Sequence, residues 1–199
     1  MSPSPEDSSA TLRSVVEREE YSPEERALLL RLAHESIASA IEQREISLTP
    51  PSSHLAAPRG VFTTLYYRGE LRGCVGFVMA VASLYRAVAE TAQAAAFDDT
   101  RFPPLTREEL REIEISLSVL SPLRPIRPEE IEVGRHGLLI SLAGRRGLLL
   151  PQVAVEHAWA RTIFLEQTCH KAGLPANAWQ AGASIEAFTA EVFGEKDTH

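Results

Sequence analysis

Of the two cysteines in this chain, Cys74 has the neighbours that suit thiol chemistry. It lies in Leu71-Arg72-Gly73-Cys74-Val75-Gly76, a run that reads as a strand. Strand alternation puts Arg72 and Cys74 on one face, about 7 Å apart at ~3.3–3.4 Å per residue. A guanidinium beside a thiol favours the thiolate, the nucleophilic form. A two-residue turn at Arg68-Gly69 pairs this strand with the preceding one. It sets Leu71 opposite Tyr66, Gly73 opposite Thr64 and Cys74 opposite Thr63. One face then carries Leu71, Gly73, Val75 and Phe77 with Phe62 and Tyr66, and is expected to be the core. The other carries Glu70, Arg72, Cys74, Thr63, Leu65 and Tyr67. Gly73 and Gly76 would let a ligand or another segment come close to the backbone.

A cysteine nucleophile needs a base to activate it. Glu156 and His157 are the candidates, though on a helix adjacent side chains diverge by about 100°. Asp99 and Arg101, in Asp98-Asp99-Thr100-Arg101-Phe102-Pro103-Pro104, are placed to pair and hold a turn. The plain alternative is that Cys74 behaves as a small buried hydrophobe and that the glycines mark a bulge or a packing contact. Cys169, among Phe164, Leu165 and Ala172, reads as core packing.

The six histidines show neither the i,i+4 pairing nor the Cys-x-x-Cys spacing of a metal site, so no metal ligand set is assigned. No phosphate loop, dinucleotide fingerprint or Gly-x-Ser-x-Gly elbow is present, and no cofactor is assigned.

The chain has 199 residues and a net charge of −7, with 44% hydrophobic and 24% charged residues. That composition fits a globular domain and excludes fibrous or wholly disordered classes. The negative field disfavours nucleic acid, and Arg124 with Arg127 and Arg145 with Arg146 are isolated basic pairs. No apolar run reaches the ~18–20 residues of a membrane span. Two cysteines without a secretory signal read as free thiols in the cytoplasm.

The elements that position these residues follow from caps and periodicity. Residues 1–20, rich in Ser, Pro and Glu, read as a mobile tail, and residues 21–195 as one domain. Ser22-Pro23-Glu24-Glu25 is a capping box opening a helix to about Arg44. Ile46 to Arg59, broken by prolines, reads as a loop. After the hairpin of Val61–Tyr67 and Leu71–Phe77, a helix capped by Ser83 runs to Phe97. Thr106 and Glu109 form a second capping box. Ile113, Ile115, Leu117 and Val119 alternate with polar residues as a half-buried strand. Leu138–Leu142 and Leu148–Leu150 form a second hairpin. A single helix is expected from Val153 to Ala172, burying Val155, Trp159 and Ile163, with Gly173 past its end. Ser184 to Phe193 reads as one last strand. With hairpins outnumbering crossovers, the class is α+β with mostly antiparallel sheet.

Five motifs in order carry a family resemblance: LRGCVG after GVFTTLYYRGE, then AAFDDTRFPP, ISLSVLSP, GLLLPQVAVEHAW and TCHKAGL with a downstream Trp. Over residues 22–195 the chain resembles the AMMECR-one domain family, the A proteins of the AmmeMemoRadiSam system. The family pattern has Ile at the position of Val75 and often Pro at that of Thr100. The resemblance implies an α+β fold of two lobes built around the LRGC hairpin. It also implies two partners, a Memo-like dioxygenase-family protein and a radical-SAM protein. It implies no particular reaction.

Two functions remain open at this stage. In the first, Cys74 is a nucleophile, Arg72 its electrostatic partner and anion clamp, and Thr63 or Thr64 a hydrogen-bond donor. In the second, the chain is an adaptor in which Arg72, Asp99, Arg101 and the groove beside the hairpin recognise a partner segment, and the thiol is inert.

Overall fold

The computed structural model describes residues 20–195, so the expected tail lies almost wholly outside the described residues. Glu20 is held: its N–H donates to Glu191 Oε2 at 2.7 Å, and its Oε1 accepts from Arg59 Nη2 at 2.7 Å.

Helix α1, Pro23–Glu42, starts where the capping box predicts. Ser22 Oγ accepts the Glu25 N–H at 3.2 Å and Glu25 Oε2 accepts the Ser22 N–H at 3.1 Å. Its buried face includes Leu29, Leu32, Ala33 and Ile37. The proline-broken stretch that follows is not all loop, because Ser52 caps a single turn, α2, Ser53–Ala56, which buries Leu55.

Strand β1, Val61–Tyr67, turns back into β2, Glu70–Phe77. Arg68 and Gly69 both have positive φ, 53° and 84°, the backbone of a tight two-residue hairpin. Helix α3, Leu84–Phe97, is capped by Ser83 and packs its alanine-rich face on the sheet. Strand β3, Ile113–Leu120, buries every alternate residue from Ile113 to Val119, as the period-2 pattern predicts. With β8, Ala190–Gly194, these strands form an antiparallel sheet in the order β2-β1-β3-β8, backed by α1 and α3.

The second sheet has the order β4-β7-β5-β6, from Arg124–Pro125, Ser184–Phe188, Gly137–Leu142 and Arg145–Leu149. Its core is separate and includes Leu138, Ile140, Phe164, Leu165, Cys169 and Ala187. The expected last strand is thus two strands in two sheets, β7 and β8, parted at Thr189. The chain crosses between the lobes at adjacent points. Ser121 N–H donates to the Thr189 carbonyl at 2.9 Å, and Thr189 N–H donates to Ser121 Oγ at 3.0 Å.

The helix expected over Val153–Ala172 is also two, α4, Pro151–Glu156, and α5, Arg161–Lys171. A Schellman closure ends α4: Trp159 N–H reaches Ala154 O at 2.8 Å and Ala158 N–H reaches Val155 O at 3.0 Å. The left-handed position is Ala158, φ 51°, where glycine would have announced the break. Rotated by it, Val155 and Ile163 are exposed and Trp159 half-buried, while Phe164, Leu165, Thr168 and Cys169 fill the core. Gly173, φ 69°, ends α5 as expected.

Candidate functional site: the edge strand at Cys74

The hairpin pairing departs from the simple register by one residue. Leu71 sits opposite Tyr66, but Leu65 pairs with Gly73, Thr64 with Cys74 and Thr63 with Val75. Arg72 is the extra residue of a β-bulge, and a bulge breaks strict alternation. Arg72 and Gly73 are both buried and both meet the helical side of the sheet. A side chain at Gly73 would collide with the Ala95 carbonyl of α3. The core face of β1 is Val61, Thr63 and Leu65, and the face with Phe62, Thr64 and Tyr66 is the open one, the reverse of the expectation.

Arg72 is therefore separated from the thiol. Its Nε and Nη2 fork onto Glu109 Oε1 and Oε2 at 2.8 and 3.1 Å, with side chains 10% and 19% exposed. Glu109 also closes the second capping box, accepting the Thr106 N–H at 2.9 Å and donating its own N–H to Thr106 Oγ1 at 3.3 Å. The guanidinium, with the Thr106 N–H behind it, pulls the Glu109 carboxyl down to about 2. Arg72 thus ties β2 to the single helical turn at Glu109–Arg111.

Cys74 takes different company. Thr64 Oγ1 donates to Cys74 Sγ at 3.3 Å across the ladder. Thr63 is spent in the core, hydrogen-bonded to Thr91 Oγ1 at 2.7 Å, while that hydroxyl donates to the Ala87 carbonyl at 2.8 Å. The Cys74 backbone N–H donates to Asp99 Oδ2 at 2.9 Å, and its carbonyl accepts from Arg101 Nη2 at 3.4 Å. Both backbone groups of Cys74 therefore point off the sheet edge. Cys74 and Thr64 form a non-hydrogen-bonded pair, the kind that brings side chains closest.

Asp99 and Arg101 lock one another. Arg101 Nε donates to Oδ1 at 2.9 Å, Nη2 to Oδ2 at 2.7 Å, and the Arg101 N–H to Oδ1 at 3.2 Å. The Asp99 side chain is 7% exposed and that of Arg101 56%. The Arg101 guanidinium first, and the Cys74 N–H second, hold the Asp99 carboxyl well below the usual carboxylate range. Arg101, rather than Arg72, is the guanidinium that contacts Cys74, through the Cys74 carbonyl.

Glu156 and His157 are exposed in the second lobe at the end of α4, where the His157 ring stacks on Trp159 with centroids 4.7 Å apart. No hydrogen bond or ion pair among the described residues joins them to Cys74. Cys169 is fully buried and burial pushes its thiol up. Among the described residues no group of three or more His, Cys, Asp or Glu side chains could hold a metal. No described helix is long and apolar enough to cross a membrane.

Along the same edge lies an apolar strip that sequence patterning assigned partly to the core. Leu71, Phe77, Met79 and Val81 are 42%, 36%, 45% and 75% exposed. Leu71 lies on the open face opposite Tyr66, while Phe77, opposite Val61, leads into Met79 and Val81 at the far end of the strand.

Two antiparallel sheets with separate cores, joined by paired crossings and carrying a bulged LRGC hairpin on one edge, define a two-lobed α+β protein. The AMMECR1 family profile matches residues 30–193, and the chain belongs to that family. A protein of Methanopyrus kandleri is 42% identical over 191 residues, covering 90% of this chain and 92% of its own. One of Thermococcus gammatolerans is 42% identical over 183 residues, covering 84% and 89%. The crystal structure of an uncharacterised protein from Pyrococcus horikoshii matches with a TM-score of 0.74 at 36% identity, over 89% of this chain and 95% of that one.

Proposed function

We propose that this chain is a non-catalytic binding module whose docking surface is the β2 edge and its apolar strip. The observation that carries this is apolar exposure at the edge: Phe77, Met79 and Val81, at every second position from the end of β2 onward, stay exposed, as does Leu71 near the start of the strand. Such patches mark interaction surfaces. The thiol, by contrast, lacks the supports of a nucleophile. Arg72 is bound to Glu109, Asp99 is bound to Arg101, and Glu156 and His157 stand in the other lobe. The partners implied by the family resemblance, a Memo-like protein and a radical-SAM protein, are the first to test. The module works in the cytoplasm, where its two free thiols stay reduced. Residues 21–195 act as one domain, since the Ser121–Thr189 bonds tie the lobes together.

One observation favours the thiol-enzyme reading. Cys74 is only half-buried, and Arg101, bonded to its carbonyl, would replace Arg72 as the cation beside it. The two readings separate on Cys74→Ser. In the adaptor it leaves partner binding intact, and in an enzyme it stops turnover.

A further inference from the structure

We infer that Asp99 and Arg101 form a guard on the open edge of β2, occupying the backbone rung at Cys74 that a second copy of this chain would otherwise use for strand pairing. β2 is the outermost strand of its sheet, and such edges present unpaired N–H and C=O groups to any passing strand. On β2 the rung at Cys74 is filled by side chains. Asp99 Oδ2 takes its N–H at 2.9 Å and Arg101 Nη2 gives to its carbonyl at 3.4 Å. One acceptor and one donor, held in a charge-assisted fork, reproduce what one residue of a neighbouring strand supplies.

The next rung is open. Gly76 pairs with Phe62 in the same parity as Cys74 with Thr64, so its N–H and C=O also aim off the sheet. On the other side the bulge at Arg72 interrupts the ladder. Between bulge and open rung, the Asp99–Arg101 fork is what interrupts an edge flanked by exposed Leu71, Phe77 and Met79. A second copy is the occupant because the strand suits itself. In an antiparallel pair centred on Cys74, with the bulge counted as one rung, Leu71 of each copy faces Gly76 of the other. An exposed leucine then meets the Phe62 ring, which lies over Gly76.

The inference rests on geometry separate from the identity of any partner, so its test uses the chain alone. Arg101→Ala and Asp99→Ala are compared with the native chain by sedimentation velocity over a hundredfold range of concentration. A thiol-specific bifunctional cross-linker and peptide mapping then report the register. Both variants are expected to form dimers at concentrations at least tenfold below any association of the native chain. The cross-link is expected at Cys74, since Cys169 is buried, and Leu71→Lys placed on Arg101→Ala should return it to one chain. Arg101 is the exposed member of the pair. If Asp99→Ala does not fold, Arg101→Ala alone decides. Folded variants that stay monomeric overturn the inference, as do dimers cross-linked elsewhere or a native chain already paired through Cys74. Monomeric variants, or dimers cross-linked elsewhere, leave docking of a different partner on β2 unaffected, whereas a native chain paired through Cys74 would fill that edge and overturn both readings.

Discussion

The backbone N–H of Cys74 donates to the carboxylate of Asp99 at 2.9 Å, from a loop 25 residues downstream. That bond caps the outward N–H of Cys74, and the pairing of Cys74 with Thr64 sets the face on which the thiol stands. The thiol therefore meets Thr64 on the open face, while the bulge sends Arg72 to Glu109. Two residues that share a motif thus serve different parts of the structure.

The ion pair under the bulge should matter to stability rather than to thiol chemistry. Arg72→Met strands Glu109 in a largely buried place and is expected to cost about 3 kcal/mol, the low end for breaking a buried pair. Urea denaturation measures it. A loss under about 0.5 kcal/mol, the scale of an ordinary surface change, would mean the pair does not hold β2 in place. The same variant should leave the rate of Cys74 alkylation in the folded protein unchanged.

Acid should release that pair. The folded Glu109 carboxyl sits at about 2, below its ordinary 4.5, so the stability it contributes is present above pH 4.5 and lost as pH falls toward 2. Asp99, lowered by Arg101 and the Cys74 N–H, has the same sign. Thermal unfolding measured from pH 5 to pH 2.5 should fall more steeply for the native chain than for Arg72→Met, which has already lost the Glu109 contribution. Parallel curves would show that Glu109 is not the group responsible.

The second lobe offers a sharper comparison. Phe164 is fully buried and Trp159 only half-buried against His157. Phe164→Ala should cost about 3–5 kcal/mol, the range for large aromatic truncations in cores. Trp159→Ala should cost about 1–2 kcal/mol, nearer to an aromatic contact plus partial burial. Equal losses in denaturant titration would restore the continuous helix that hydrophobic spacing suggested.

The strands and caps were legible because their causes are local. Both capping boxes, the two-residue turn at Arg68-Gly69 and the alternation from Ile113 to Val119 follow from residue types within a few positions of one another. What escaped was set by tertiary contacts or by unusual residues at strained positions. The bulge at Arg72 exists because Gly73 must clear Ala95 and Arg72 must reach Glu109, partners 22 and 37 positions away. The break at Ala158 carries no glycine to mark it, and Ser184–Phe193 shows no signal at Thr189 that it changes sheets. Of the candidate site, the pairing of Asp99 with Arg101 followed from their spacing. Their grip on Cys74 did not, because no local pattern aims a loop carboxylate at a distant strand edge.

Thiol accessibility separates the two cysteines. Cys74 is half-buried and should be alkylated in the native protein, whereas Cys169, at 0% exposure, should react only on unfolding. Peptide mapping after brief iodoacetamide treatment reads both. Labelling of Cys169 ahead of Cys74 would contradict the packing of α5.

The central claim, that the β2 edge docks a partner and the thiol is dispensable, is tested most directly by titration calorimetry. The native chain, Cys74→Ser, Phe77→Asp and Met79→Asp are each titrated with purified Memo-like and radical-SAM proteins from the same organism. The account predicts that one of these partners binds the native chain and Cys74→Ser within twofold of each other, and binds Phe77→Asp and Met79→Asp at least tenfold more weakly. Binding lost in Cys74→Ser but kept in both aspartate variants, or no binding by the native chain, would contradict it.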